Sequence, residues 1–386
     1  MFGDYNLRCI FLLLLRSIAS KKEIDSQDKN LITDDLLEEL FKLAKRQDLA
    51  HLVCDALEKN DIKVCDKLLS KFKNEKNVAI FRSNQVDYEL EQISKALEEE
   101  KIDFILLKGA IIRNLYPEKW MRTSCDIDVL IKEQDVKRAT RILEEKLSYK
   151  FTGKTTHDLQ FLTESGLPVE LHFSLLKSDG EVSKILEKVW DNVKETSLSQ
   201  KVINEEFFYF YHVAHMATHF KLGGCGLRPF IDLYLLDKNL KIDKQALNEL
   251  LKNSGLTIFE KEVLSVSKHI FENSELTKIG LGVIGFVLNA GMYGDIKNLA
   301  IINQSKKGSK GRYILSRIFV SYSALKLRYP VLEKHPILFP FYQVRRWFNL
   351  LNKKSRKLAT YEYKALNETK ENEKSFVEKI FSELKI

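Results

Sequence analysis

The sequence predicts an α+β fold, with a small mixed β-sheet core flanked by helical N-terminal and C-terminal regions. The N-terminal part favours long helices, since no glycine occurs between Gly3 and Gly109 and no proline precedes Pro117. Short apolar segments alternate with helical patterns only at roughly 102–175, and helical patterns return from 205 onward. A chain of 386 residues exceeds the usual length of one compact unit, so we expect three regions. They are 1–100, 101–200 and 201–386.

The N-terminal region begins with an unbroken apolar segment at 9–15. Arg8 precedes it and Arg16 ends it, so the segment is too short to span a bilayer, and no cleavage site of a targeting peptide follows. We therefore expect no transmembrane segment and interpret 9–15 as part of the first helix of a bundle. A helix lying on a membrane surface is the alternative. Apolar residues at helical spacing predict further helices at 36–44 and 86–97.

The core region alternates between strand and helix patterns, which places a turn at Lys108 and Gly109. A buried strand is predicted before this turn and a helix after it. Gly166 is predicted to join the last two strands. The predicted elements are strands at 104–107, 125–131, 159–162 and 168–173, and helices starting at Gly109 and covering 136–147.

Three carboxylates on these strands, Asp126, Asp128 and Glu170, are the candidate catalytic and metal-binding residues. Because side chains alternate along a strand, Asp126 and Asp128 project to the same side while Ile127 turns into the core. Mg²⁺ prefers oxygen ligands and is held by a few carboxylates together with substrate phosphates. Two such ions stabilise both the attacking and the leaving oxygen at phosphorus, and Glu170 is placed to complete the set. The cofactor expected is Mg²⁺ or Mn²⁺. For Glu170 alone, the alternative is an ordinary residue of an edge strand that pairs with a Lys or Arg.

The turn at Lys108 and Gly109 is the candidate phosphate site. Backbone N–H groups at the start of a helix attract anions, Gly109 lets a phosphate approach the backbone, and Lys108 adds a positive charge. Arg122 lies four residues before Asp126, where its guanidinium can donate two hydrogen bonds to the same polyphosphate. An ordinary turn after a strand is the alternative.

At these residues the chain resembles a family of largely uncharacterised nucleotidyltransferases within the DNA polymerase β-like superfamily. The resemblance implies a small mixed sheet with metal-binding acids on adjacent strands, and it leaves the acceptor open. The superfamily usually has Gly-Ser or Gly-Gly at the turn, whereas this chain has Lys108, Gly109 and Ala110, which implies a different grip on the phosphates. The segments that carry the resemblance, within roughly 30–240, are 107–110, Arg122, 126–130 and 169–172.

A histidine-rich helix near 212–219 is the second candidate part of the site. The resembled family has a similar helix followed by one with a conspicuous Asp, which implies that Asp232, with Arg228 one turn before it, lines a cleft for the nucleotide or acceptor. A salt bridge between Arg228 and Asp232 is the alternative. His215 is assigned to the same cleft and His172 to the nucleotide. His215 and His219 lie four positions apart, but Met216 replaces the Glu of a zinc-binding His-Glu-x-x-His, so hydrogen-bonded histidines are favoured over a zinc site.

Two other patterns are given structural interpretations. Gly280, Gly282 and Gly285 match Gly-x-Gly-x-x-Gly, but no convincing strand precedes them, so we favour tight packing or loop glycines over dinucleotide binding. The five cysteines are scattered, which predicts neither a disulfide framework nor a cysteine zinc site and favours a reducing cytoplasm.

The charge of the chain does not favour a nucleic acid as the acceptor. The net charge of +8 is modest, and basic residues at 306–312 and 345–357 are typical of a solvated helix face. Binding of RNA or an anionic membrane by these residues is the alternative. We expect a metal-dependent transfer of a nucleoside monophosphate from an NTP to a small-molecule, sugar or peptide acceptor, with release of pyrophosphate. A catalytically silent nucleotide-binding or regulatory protein and an RNA-terminal nucleotidyltransferase are the alternatives.

Overall fold

The computed structural model describes most of the chain, including the whole segment from 23 to 175. Helices cover most of the described residues, and the strands lie between 104 and 203. The described residues are 2–20, 23–175, 180–194, 196, 198–292, 294, 296–329, 331–350, 356, 360, 364 and 371–386. Part of the basic segment 345–357 therefore lies outside the described residues.

A mixed sheet lies at the centre of the described structure, which confirms the predicted α+β fold. Its strands are β1 (Phe104–Leu106), β2 (Ile127–Ile131), β3 (Lys150–Lys154), β4 (Asp158–Leu162), β5 (Pro168–His172), β6 (Val193–Lys194) and β7 (Gln200–Ile203). Their order across the sheet is β3-β4-β5-β2-β1-β7-β6. Strand β2 pairs in parallel with β5 and antiparallel with β1.

Helices precede and follow the strands along the chain, and they flank the sheet. The helices before and within the core are α1 (Phe2–Ser20), α2 (Ser26–Asn30), α3 (Asp34–Arg46), α4 (Ala50–Lys59), α5 (Asp66–Glu99), α6 (Lys108–Ile112), α7 (Val136–Arg141) and α8 (Glu181–Leu186). Those that follow are α9 (Glu205–Lys221), α10 (Arg228–Asn239), α11 (Lys244–Ser254), α12 (Thr257–Glu272), α13 (Lys278–Asn289), α14 (Ile296–Lys307), α15 (Lys310–Ile318), α16 (Tyr322–Arg328), α17 (Val331–Lys334), α18 (Phe339–Leu350) and α19 (Glu371–Leu384).

The predicted core elements are confirmed with shorter ends, but the sheet is larger than predicted. The four predicted strands correspond to β1, β2, β4 and β5, and the helix predicted at 136–147 is α7 continued by a π-helical turn at Ile142–Lys146. The restriction of strands to 102–175 is wrong, because β6 and β7 lie beyond it. Strand β3 was also not predicted. It is an edge strand whose side chains are mostly exposed, so it lacks the apolar alternation that marks a half-buried strand.

The two faces of the sheet differ in chemistry. On one face, Val129, Val169 and Leu171 belong to an apolar cluster that also includes residues of α5 and α7. On the other face, the pairing places Asp128 opposite Glu170 on parallel strands, and Asp158 opposite His172 on antiparallel strands. Residues directly opposite one another in a sheet project to the same side. The polar face is therefore a single surface built from β2, β5 and β4.

One hydrophobic cluster joins the helices from both ends of the chain. It contains Phe11 of α1, Phe72 of α5, Phe210 of α9 and Leu384 of α19, all fully buried. The apolar segment 9–15 lies within α1 and is mostly buried, which confirms its interpretation as a bundle helix. Among the described residues, no helix combines the length and the apolar character needed to cross a membrane.

The interpretation of the glycine motif as a packing feature is also confirmed. Gly280, Gly282 and Gly285 lie inside helix α13, not in a strand-to-helix turn. A Cβ atom on Gly282 would lie 3.3 Å from Ile380 of α19, so this glycine allows the two helices to pack closely. The five cysteines all lie among the described residues, and none of them takes part in a disulfide.

Candidate active site

Two of the predicted carboxylates, Asp128 and Glu170, lie opposite each other on the polar face. Strand β5 lies between β4 and β2, so Glu170 is not an edge-strand residue and that alternative is wrong. Asp128 is buried, whereas the Glu170 side chain keeps 27% of its surface exposed. Asp126 immediately precedes β2, and the Ser124 hydroxyl donates a 2.9 Å hydrogen bond to its backbone carbonyl. The site is therefore closed around Asp128 and open at Glu170.

His172 lies between two of the carboxylates. Its Nε2 is 2.8 Å from Asp128 Oδ1 and 3.4 Å from Glu170 Oε2. Burial lowers the pKa of His172, but the hydrogen bonds to the two carboxylates outweigh it and raise the pKa to about 9. We had assigned His172 to the nucleotide, and the structure places its ring directly against the acidic residues.

Lys108 is held at the carboxylates by an unusual backbone conformation. Its φ angle is +33°, in the left-handed region that side chains other than glycine rarely adopt. Its Nζ lies 3.7 Å from Asp128 Oδ2 and 5.9 Å from the centre of the Tyr211 ring. Burial lowers the pKa of Lys108, but Tyr211 and Asp128 raise it above its usual value. Burial would likewise raise the pKa of Asp128, but Lys108 and His172 hold it well below its usual range.

Asp126 differs electrostatically from Asp128. Burial and the charges of Asp128 and Glu170 raise the pKa of Asp126 to about 6. Lys108 and His172 thus neutralise the negative charge of Asp128 more than that of Asp126. The remaining negative charge suits the binding of a divalent cation. Asp128, Glu170 and His172 each offer a ligand atom within 4.8 Å of the others; among the described residues, Asp126 does not join them within that distance.

Arg122 is fixed beside the turn by Asp232. Its Nη2 donates to Asp232 Oδ2 at 3.0 Å and its Nε donates to Asp232 Oδ1 at 3.2 Å, while Tyr116 donates to Oδ1 at 2.7 Å. The Nη1 group lies above Gly109, where a Cβ atom would come within 2.6 Å of it. Gly109 is therefore required first for the close approach of this guanidinium, whereas we had predicted that it makes room for a phosphate.

Comparison with known proteins identifies the family of the chain. A family model described as "Uncharacterised nucleotidyltransferase" matches residues 34–272, more than half of the chain. The chain belongs to this nucleotidyltransferase family. The matched range includes the turn at Lys108, the carboxylates and helices α9 and α10. Neither the curated proteins nor the solved structures gave a match.

Arg228 does not pair with Asp232, the partner given above as the alternative. Its Nη1 donates to the carbonyl of Thr123 at 2.7 Å, and its Nη2 lies 3.0 Å from Asp48 Oδ2. The alternative of an Arg228–Asp232 salt bridge is wrong, because Asp232 pairs with Arg122. Arg228 thus supports the 122–124 segment by linking it to the turn after α3.

The histidines of α9 form hydrogen bonds, as favoured over a zinc site. His215 Nε2 lies 3.2 Å from His219 Nε2, and His212 Nε2 donates to the carbonyl of Pro229 at 2.9 Å. Burial, followed by the charge of Lys108, holds the pKa of His215 well below its usual value. No third His, Cys, Asp or Glu ligand joins His215 and His219 in the part of the chain that the structure describes. His215 therefore lies near Lys108 as a neutral side chain.

Sequence reasoning missed several residues of the site. Ser124 lies two positions before Asp126 and was visible in the sequence as a hydroxyl beside the acidic pair. Tyr211 had no such signal, because its contact with Lys108 depends on how α9 packs against the sheet. Asp158 and His157 were missed because the predicted strand began at 159, whereas β4 begins at Asp158, which lies opposite His172.

Proposed function

We propose that the chain transfers a nucleoside monophosphate from an NTP to an acceptor and releases pyrophosphate. The observation that carries the proposal is the pairing of Asp128 with Glu170 on parallel strands, with Asp126 and Lys108 beside them. Membership of a nucleotidyltransferase family supports the same reaction class. The proposed metal ligands are Asp126, Asp128 and Glu170.

Divalent Mg²⁺ or Mn²⁺ bound to these carboxylates would supply charge stabilisation for the attacking and leaving oxygens. The residues fit such an ion, because burial and the charges of Asp128 and Glu170 together raise the pKa of Asp126, and because oxygen ligands suit Mg²⁺. The open side of the site is at Glu170, so we assign the acceptor to that side. Glu170 then accepts the proton of the attacking acceptor group.

The triphosphate is assigned to the opposite side, at the turn. Arg122 keeps its Nη1 edge directed to Gly109 while Asp232 holds the other edge, so its guanidinium is oriented before a substrate binds. Lys108 adds a second positive charge at Asp128. His172, His215, Arg228 and Asp232 surround these groups, and we propose that Asp232 and Arg228 act by positioning the 122–124 segment.

Transfer of label from a radioactive NTP to a component of a cell extract tests the reaction. Purified full-length protein should label an acceptor with one or more of the four NTPs when Mg²⁺ or Mn²⁺ is added, and chelation should abolish labelling. Sensitivity of the labelled product to nuclease distinguishes an RNA acceptor from a small molecule or peptide. Labelled RNA would favour RNA-terminal transfer over the function proposed.

A Glu170→Gln variant tests the assignment of the acceptor side. Loss of the carboxylate should leave NTP binding within about threefold of wild type but reduce single-turnover transfer by at least roughly a hundredfold, the usual range for a positioned base. Asp103→Asn is the matched control, because Asp103 is ion-paired with Lys132 next to β1, at the end of the strand away from Lys108. Near-normal transfer by the Glu170 variant would remove Glu170 from the mechanism. NTP binding without any turnover of the wild-type protein would favour the regulatory alternative.

A further inference from the structure

A second group of potential metal ligands lies beside the carboxylates, on the β4 side of His172. Asp158 at the start of β4 pairs opposite His172 on β5, so both side chains lie on the polar face. His157 precedes β4, and its ring stacks against that of His172 with 5.8 Å between the ring centres. His157, Asp158 and His172 each offer a ligand atom, and these three atoms lie within 4.8 Å of one another.

Two buried polar atoms of this cluster have no hydrogen-bond partner. They are Asp158 Oδ1 and His172 Nδ1, in residues only 2% and 3% exposed. The other carboxylate oxygen of Asp158 accepts a 2.6 Å hydrogen bond from Thr155 Oγ1 and lies 3.2 Å from His157 Nε2. A buried polar atom without a partner costs free energy, so the cluster is suited to a ligand that satisfies both atoms.

We propose that His157, Asp158 and His172 form a binding site for a divalent transition-metal ion of the zinc class. Imidazole nitrogens suit such ions, whereas Mg²⁺ strongly prefers oxygen, so this ion is distinct from the one assigned to the catalytic carboxylates. Metal-ligating histidines usually direct the other ring nitrogen to a carboxylate, and His172 Nε2 does so with Asp128. The ion takes the place of the second ring proton of His172, since only a neutral imidazole binds metal.

The role of this ion is to position His172. A ring held by a metal on one nitrogen fixes the hydrogen bond that the other nitrogen donates to Asp128. The site is reachable, because the His157 side chain is 32% exposed. The proposal goes beyond nucleotidyl transfer and concerns ion binding, so it stands or falls independently of the reaction.

Titration of the chelator-treated, full-length protein with Co²⁺ and with Zn²⁺, in excess Mg²⁺, tests the site. We expect one equivalent of Co²⁺ to bind and to give visible absorption bands typical of nitrogen and oxygen ligands, and Zn²⁺ to displace it. His157→Gln should weaken Co²⁺ binding at least about tenfold, as loss of a metal-site group commonly does. Asp158→Asn should do the same. His335→Gln is the matched control at an exposed histidine of the C-terminal part and should leave binding unchanged.

Several outcomes would overturn the proposal. Absence of saturable Co²⁺ binding in excess Mg²⁺ would remove the site. Unchanged binding in both the His157 and the Asp158 variants would place the ion elsewhere. Equal weakening by Glu170→Gln and by His157→Gln would assign the ion to the catalytic carboxylates, and weakening by His219→Gln alone would assign it to the histidine pair of α9. Because His157 is partly exposed, its variant is expected to fold even if the Asp158 variant does not.

Discussion

The two faces of the central sheet differ in chemistry, although they are formed by neighbouring residues of the same strands. Val129 and Leu171 are fully buried in an apolar cluster, whereas Asp128 and Glu170 face the site. The apolar face gains stability from burial. On the polar face, burial and then the charges of Asp128 and Glu170 raise the pKa of Asp126. A substitution of a residue on the apolar face should therefore lower the stability of the fold, whereas a substitution of its neighbour on the polar face should lower the rate of the reaction.

The largest expected effect is on the polar face. Asp126→Asn removes a proposed metal ligand, so NMP transfer should fall by at least roughly a thousandfold, equivalent to several kcal/mol of transition-state stabilisation. Transfer is measured at saturating NTP and Mg²⁺ with the folded fraction determined by circular dichroism. Transfer within about tenfold of wild type would mean that Asp126 is not a ligand.

On the apolar face, Leu171→Ala should act on the fold instead. Leu171 is 1% exposed, and truncation of such a side chain typically costs about 3 kcal/mol. Urea denaturation measures the change in the free energy of unfolding, and transfer per folded molecule should remain close to that of wild type. If this variant kept its stability but lost its activity, the contrast between the faces would be wrong.

Asp126→Asn should also affect stability, with the opposite sign. The folded-state pKa of Asp126, about 6, lies above the usual value of 3.8, so ionisation of the carboxyl destabilises the fold as pH rises from about 4 to 6. Without metal, the Asn variant should therefore be more stable than wild type by about 3 kcal/mol at pH 7.5 and close to it near pH 3.5. Urea titrations in chelator at the two pH values measure this. A stability difference independent of pH would show that Asp126 is not electrostatically strained.

The smallest expected effect is at the turn. Gly109→Ala places a methyl group within 2.6 Å of Arg122 Nη1, so the guanidinium must shift and the KM for NTP should rise by about tenfold, a loss of about 1.4 kcal/mol. Gly311→Ala is the matched control, since a Cβ atom there would contact nothing within 4 Å. An unchanged KM in the Gly109 variant would show that Arg122 does not bind the nucleotide.

The sequence predicted what depends on local pattern. Strand alternation predicted that Ile127 turns into the core and Asp128 away from it, and apolar spacing predicted the long helix α5 that packs on the apolar face. The reason for Gly109 was not predictable, because it depends on Arg122, which Asp232 holds from a distant helix. That contact is set by tertiary packing, which a single sequence does not display. The place of Asp158 opposite His172 was missed for a local reason, because the predicted strand began at 159 and β4 begins at Asp158.

The ion pair between Arg122 and Asp232 also has a consequence for the newly made chain. These residues are 110 positions apart, and at about 5–20 residues per second a ribosome needs roughly 6 to 22 s to synthesise the residues between them. During that time the growing chain carries the turn, then Asp126 and Asp128, and later Glu170, but it still lacks Asp232, the group that orients the guanidinium. We therefore expect a nascent chain to gain its grip on triphosphate only after α10 has emerged and docked.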